Sequence, residues 1–76
     1  MKLSDQKLGQ RVQIVRVESD QIDFVRRLEE FGFLPGTPCE IIHEAPFGKD
    51  PIAIRIRGMT VSLRREEAKF IEVENV

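Results

Sequence analysis

The segment 51-PIAIRIRGMTVSLR-64 decides the fold. Ile52, Ile54 and Ile56 alternate with Ala53, Arg55 and Arg57, the period-two pattern of a strand with one apolar and one solvated face. Arg57-Gly58-Met59 reads as a tight hairpin connection. Val61 and Leu63 continue the apolar face, and Ser62 and Arg64 point outward. An isolated hairpin is marginal in water, so further strands must complete it.

The flanking sequence supplies them. Upstream, "PCEIIHEA" (38–45) reads as a strand with Pro38 at its start, where a missing N–H is tolerated. The turn-forming "APFGKDP" (45–51) joins it to the hairpin. In "RVQIVRVES" (11–19), Val12, Ile14 and Val17 alternate with Gln13 and Arg16, and Val15 interrupts the pattern where a bulge would fit. Downstream, "RREEA" (64–68) suits a single helical turn, and "FIEVENV" (70–76) offers Ile71 and Val73 as a closing strand. Between the first two strands, Phe24, Leu28 and Phe31 form a helical stripe. Ser19 or Asp20 is expected to cap its start, Asp23 to pair with Arg27 four residues on, and Gly32 to end it in the left-handed conformation. Strand, helix, three strands, a helical turn and a strand make a mostly β chain. Five short strands with polar outer faces at this size predict a small, strongly bent barrel that limits exposed edges, with the helix at one end.

At 76 residues the chain predicts one domain over 1–76, with its core at about 7–74. One cysteine, Cys39, excludes an internal disulfide. The start "MKLSDQKLGQR" lacks the apolar stretch of a signal peptide, and no run approaches the ~20 apolar residues that cross a bilayer. These features predict a cytoplasmic protein without membrane insertion. Twelve Lys+Arg against thirteen Asp+Glu argue against a dedicated nucleic-acid binder, whose affinity rests on excess cations facing phosphates.

Little in the chain supports catalysis. The only histidine, His43, lies in a predicted strand, read as a rim or surface residue. Cys39 and His43, four apart, would share a strand face but stand roughly 13 Å apart, too far to share an ion. Cys39 reads as a small buried hydrophobe. No glycine falls in a phosphate-loop frame. Glu29-Glu30, Glu66-Glu67, Arg26-Arg27 and Arg64-Arg65 are sequence neighbours that diverge on a helix or strand, so they read as solvated faces. The expectation is therefore no catalytic residue, no metal site and no cofactor.

"LEEFGFLPGT", "APFGKDPIAIRIRG" and "VSLRREEAKFIEV", in this order, resemble the FeoA family over about residues 7 to 74. The specific blocks are Leu28, Gly32, Phe33, Pro35 and Gly36; Ala45 to Pro51; and Ser62 to Arg65. The resemblance implies an SH3-like β-barrel. It also implies a small cytoplasmic protein of bacterial ferrous iron transport, acting without turnover on the membrane transporter FeoB and its cytoplasmic GTPase region. The same domain occurs at the C-terminus of iron- and manganese-dependent repressors, but no DNA-reading domain is expected before it here. With neither Trp nor Tyr, polyproline recognition is disfavoured.

A partner surface is sought in the loops. After Gly32 the helical stripe no longer dictates direction, and Phe33 and Leu34 cannot both face one core. The expectation is that one of them joins Pro35 in an exposed apolar patch, extended by Pro46 and Phe47. The alternative is that all of these side chains plug a barrel end. Arg55, Arg57 and Arg64 are a secondary candidate, an outer basic stripe for an acidic partner. Two further readings stand beside the adaptor: a nucleic-acid-binding barrel using those arginines, and a direct Fe²⁺ carrier using Cys39, His43 and carboxylates. Self-association through strand edges is a further expectation.

Overall fold

The hairpin forms one end of a five-stranded antiparallel sheet. The computed structural model describes all 76 residues, Met1–Val76. Its elements are β1 (Arg11–Val17), α1 (Ile22–Phe31), β2 (Pro38–Glu44), β3 (Ile52–Ile56), β4 (Met59–Leu63), α2 (Arg65–Ala68) and β5 (Ile71–Asn75), preceded by a 3-10 turn at Leu3–Asp5. The strand order is β4-β3-β2-β1-β5. Thus the fold is mostly β with two helices, as the sequence pattern predicts.

One apolar cluster takes Val12 and Ile14 from β1, Cys39 and Ile41 from β2, and Ile52, Ile54 and Ile56 from β3. Val61 and Leu63 from β4, with Ile71 and Val73 from β5, complete the strand contribution. Leu28 is the one fully buried residue of α1. The inner face is therefore covered chiefly by the sheet itself, which requires the sheet to curl. Leu3 is also fully buried, so packing begins before the expected limit at residue 7.

Two irregularities change where side chains point. The β1–β5 register shifts between Ile14 and Arg16, at the predicted interruption by Val15. The β2–β3 register shifts between Ile41 and His43. An extra residue inverts the alternation. Cys39 and Ile41 face the core while His43 is exposed, which corrects the expectation that Cys39 and His43 share a face.

The helix ends as expected and starts differently. Gly32 adopts φ 105, with its N–H donating to Glu29 O at 3.0 Å, and Phe33 N–H donates to Leu28 O at 3.0 Å. This double closure brings the residue after the glycine back over the helix's last turn, and both Leu28 and Phe33 are buried. At the other end no side chain caps α1. Ser19 Oγ instead accepts from Gln21 N–H at 3.1 Å, a turn bond to the N-cap residue itself that leaves the helix's first N–H groups uncapped. Asp23 and Arg27 do not pair. Arg27 lies 3.8 Å from Glu67 and its guanidinium sits 5.9 Å from the centre of the Phe24 ring.

The N-terminal segment has a role that residue patterning did not reveal. Lys2 bridges to Glu72, and Val73 N–H donates to Met1 O at 2.7 Å. The outer edge of β5 is thereby covered.

Candidate partner-binding surface

The loop after α1 divides its apolar residues. Phe33 is 1% exposed, so it is a core residue and the expectation of Phe33 as a partner anchor is corrected. Leu34 is 39% exposed and Pro35 is exposed beside it. Thr37 N–H donates to Leu34 O at 3.0 Å across a turn in which Gly36 takes φ 86, the left-handed position that follows proline in such turns. Gly36 N–H and Thr37 O are bonded to Ile14 of β1 at 2.7 and 2.8 Å, which fixes the turn against the sheet.

The second loop presents Phe47, 91% exposed, beside exposed Pro46. It does not extend the first patch. One loop precedes β2 and the other follows it, so the seven residues of that strand, roughly 20 Å, separate them. The single apolar patch expected from the sequence becomes two small ones, Leu34 with Pro35 and Pro46 with Phe47.

The second loop is tied down at its far end. Asp50 Oδ1 accepts from Arg65 N–H at 2.9 Å. The Arg65 side chain donates to Lys49 O at 2.9 Å, Ser4 O at 2.7 Å and Glu44 Oε1 at 2.9 Å. Arg65, expected on a solvated face, is thus a half-buried clasp joining the N-terminal turn, β2, the loop and α2.

The basic residues do not form the expected stripe. Arg57 occupies the hairpin turn, and Arg64 follows β4 at the hairpin's opposite end, about 16 Å away. Arg55 belongs instead to a cross-strand row, Arg11–Glu40–Arg55–Thr60, on the outer face. Arg11, Pro38, Cys39, Glu40, Arg55 and Arg57 line a cleft of about 290 Å³. Sequence pattern alone does not single out Arg11, because only the strand register brings it next to β3 residues.

A longer groove runs between α1 and β4. Arg27, Phe31, Thr60, Val61, Ser62, Leu63 and Glu67 line about 400 Å³ of it. Beyond the Arg27–Glu67 pair it continues past Phe24 and Phe70, whose rings meet edge to face at 6.1 Å. No group of three His, Cys, Asp or Glu residues is placed to hold a metal ion. Burial pushes the Cys39 thiol up to about 11, so it is neither a ready nucleophile nor a ready ligand.

The FeoA domain family model matches residues 1–75. The chain belongs to the FeoA domain family. It is 43% identical over 74 residues to an Fe(2+) transport protein A/Fe(2+) transporter FeoB fusion protein of Porphyromonas gingivalis. The match takes in 97% of this chain and only 8% of the fusion protein. The FeoA protein of Chlorobium tepidum has the same fold, with a TM-score of 0.88 at 34% identity, over 100% of this chain and 70% of that one. Stenotrophomonas maltophilia FeoA, solved with zinc and described as a prokaryotic SH3 domain protein, gives a TM-score of 0.86 at 28% identity. That match covers 97% of this chain and 89% of that one. The FeoA domain is an SH3-like accessory domain and not an enzyme.

In this chain the FeoA motifs do architectural work. Leu28, Gly32 and Phe33 close the helix, Pro35 and Gly36 make the turn, and Asp50 meets Arg65 at the open end of the β3–β4 hairpin. Gly32 has a further reason to lack a side chain. A Cβ there would lie 2.4 Å from Arg57 Cδ, because the arginine stem runs over the helix end.

Proposed function

We propose that this chain is a small cytoplasmic accessory protein of bacterial ferrous iron uptake, folded as one domain over residues 1–76. In this reading it binds FeoB through that transporter's cytoplasmic region and modulates Fe²⁺ transport. The observation that carries the reading is the Porphyromonas gingivalis fusion, in which a region similar to nearly the whole of this chain shares one polypeptide with FeoB. Fusion holds a module near its partner at high effective concentration, which favours association where the surfaces meet. Exposed Leu34 with Pro35, and Phe47 with Pro46, are the apolar surface features available for it.

Two alternatives are weaker. A direct Fe²⁺ carrier needs converging ligands, yet Cys39 is buried and His43 faces the other way. A nucleic-acid binder needs a continuous basic surface, yet Arg55 and Arg57 lie far from Arg64. Calorimetric titration against the soluble GTPase domain of the same organism's FeoB, with and without guanine nucleotide, tests the reading. Binding is expected. Absence of binding to that domain and to the full-length transporter sinks it.

A further inference from the structure

The two edges of the sheet are treated differently. The N-terminal segment covers β5 through Lys2 and Met1. No strand covers β4, the other edge. The β3–β4 hairpin turns through Arg57 and Gly58, both with positive φ, at 52 and 77. In such a two-residue hairpin the flanking pair, Ile56 and Met59, exchanges backbone hydrogen bonds. Following the register outward, Ile54 with Val61 and Ile52 with Leu63 do the same. Thr60 and Ser62 therefore direct their N–H and C=O groups away from β3. Both residues line the groove beneath α1.

Charge selects among occupants. Arg57 stands at one end of β4 and Arg64 at the other, and Arg55 lies opposite Thr60 on β3. None of the three is in an ion pair. A second copy pairing antiparallel about Val61 would set Arg57 of each chain opposite Arg65, and one position from Arg64, of the other, twice. Like charges across a strand pair oppose pairing, so the edge discourages its own copy. Glu67 is the one carboxylate along the β4 stretch of this groove, and Arg27 faces it at 3.8 Å; Glu66 lies farther along, beside Arg64. Half-buried Phe31 offers an apolar contact on the groove's inner side.

We propose that the groove between α1 and β4 takes an extended acidic segment of a partner protein, which adds to β4 as a sixth strand. Thr60 and Ser62 supply the main-chain hydrogen bonds, Arg57 and Arg64 meet carboxylates at its two ends, and Phe31 receives an apolar side chain between them. The proposal rests on the reading of this chain as a partner-binding domain, and it needs no particular transporter.

The test is a titration of the ¹⁵N-labelled full chain at low salt with an octapeptide of alternating glutamate and valine. The counterpart of alternating lysine and valine is the control. In the free protein the Thr60 and Ser62 amides are expected to exchange fast while those of Val61 and Leu63 are protected. The acidic peptide should slow exchange at Thr60 and Ser62 about tenfold or more, and bind about tenfold tighter than the basic one. Ser62→Pro removes an outward N–H at an edge position that tolerates proline, and should abolish the effect. Should that variant not fold, Arg64→Ala should weaken binding severalfold with the same amides still read. Unchanged exchange at Thr60 and Ser62 at millimolar peptide, equal binding of both peptides, or shifts centred on the Arg11–Arg55 cleft would overturn the proposal. If FeoB binds while these amides stay fast, the accessory role stands and this surface fails. If the peptide binds there and FeoB does not bind, the surface stands without that role.

Discussion

Arg65 Nη2 lies 2.9 Å from Glu44 Oε1, and the same guanidinium reaches carbonyls in two other segments, at Ser4 and Lys49. Four separate parts of the chain meet at one planar fork, whose donors have fixed directions. Alanine at Arg65 would leave the Glu44 carboxylate, itself mostly buried, without its partner. Bonds to charged groups contribute about 1.5–3 kcal/mol each when satisfied, and the partial exposure of this pair reduces that. Arg65→Ala is expected to lower unfolding free energy by about 2–3 kcal/mol in urea denaturation. Lysine, with one point charge, should recover less than half.

Gly32 and Arg57 are coupled by contact. Gly32→Ala faces two costs, a left-handed φ of 105 and the Arg57 stem 2.4 Å from the new Cβ. The backbone term alone is about 1–2 kcal/mol. The stem is flexible and can shift, so the steric term is the smaller and is removable. In a double-mutant cycle, Arg57→Ala should relieve part of the loss from Gly32→Ala, giving a coupling of about 0.5–1 kcal/mol. Strict additivity would show that the arginine moves away without cost. Arg57 has its own positive φ of 52, so Arg57→Gly should stabilise the turn by several tenths of a kcal/mol or more.

The parts of the fold legible in the sequence were those encoded by local periodicity. Ile52, Ile54 and Ile56 announced a strand, Gly32 a helix end, and Arg57-Gly58 a turn. What escaped reading depends on contacts between distant residues. Arg65 looked like a solvated neighbour of Arg64, because nothing local says that Ser4, Glu44, Lys49 and Asp50 converge on it. Arg11 joins Arg55 only through the β1–β2–β3 register. Cys39 and His43 seemed to share a face because a bulge between Ile41 and His43 carries no reliable sequence mark. Met1 and Lys2 pair with β5 without any strand-like pattern of their own. The proposed contact surface suffered most, since Leu34 and Phe47 are close in sequence character yet lie at opposite ends of β2.

Cys39 gives a prediction with a definite sign. Its thiol is raised from an ordinary 9.0 to about 11 by burial. Between these values the unfolded chain loses the thiol proton while the folded protein keeps it. The folded state then binds more protons, so this contribution to stability falls as pH rises from about 9 toward 11 and is flat below 9. A difference of that size between the folded and unfolded thiol corresponds to roughly 2–3 kcal/mol at the upper end. Denaturation midpoints of the wild type and Cys39→Ala, followed from pH 7 to 11, should converge above pH 9. At neutral pH a thiol reagent should modify Cys39 only as fast as the protein unfolds.

Phe33 and Phe47 are the same side chain in opposite circumstances, 1% and 91% exposed. Deleting a buried ring removes its packing and leaves a cavity, at about 3–5 kcal/mol. Phe33 also holds the helix closure through its contact with the last turn, so Phe33→Ala should consume most of the stability of so small a domain, and Phe33→Leu should restore the larger part. Phe47→Ala should change stability by less than about 0.5 kcal/mol. An exposed ring with no internal packing is available for a contact, and aromatic anchors concentrate interface energy. Under the proposed accessory role, Phe47→Ala and Leu34→Ala are expected to weaken transporter binding without unfolding the protein. The two sites are about 20 Å apart, so a partner domain contacting only one end of β2 should respond to one substitution and ignore the other. Equal losses from both would require a partner that spans the barrel. If neither substitution changes binding in calorimetry while Phe33→Leu remains folded and binds normally, the apolar loop tips are not the contact and the edge of β4 becomes the surface to test.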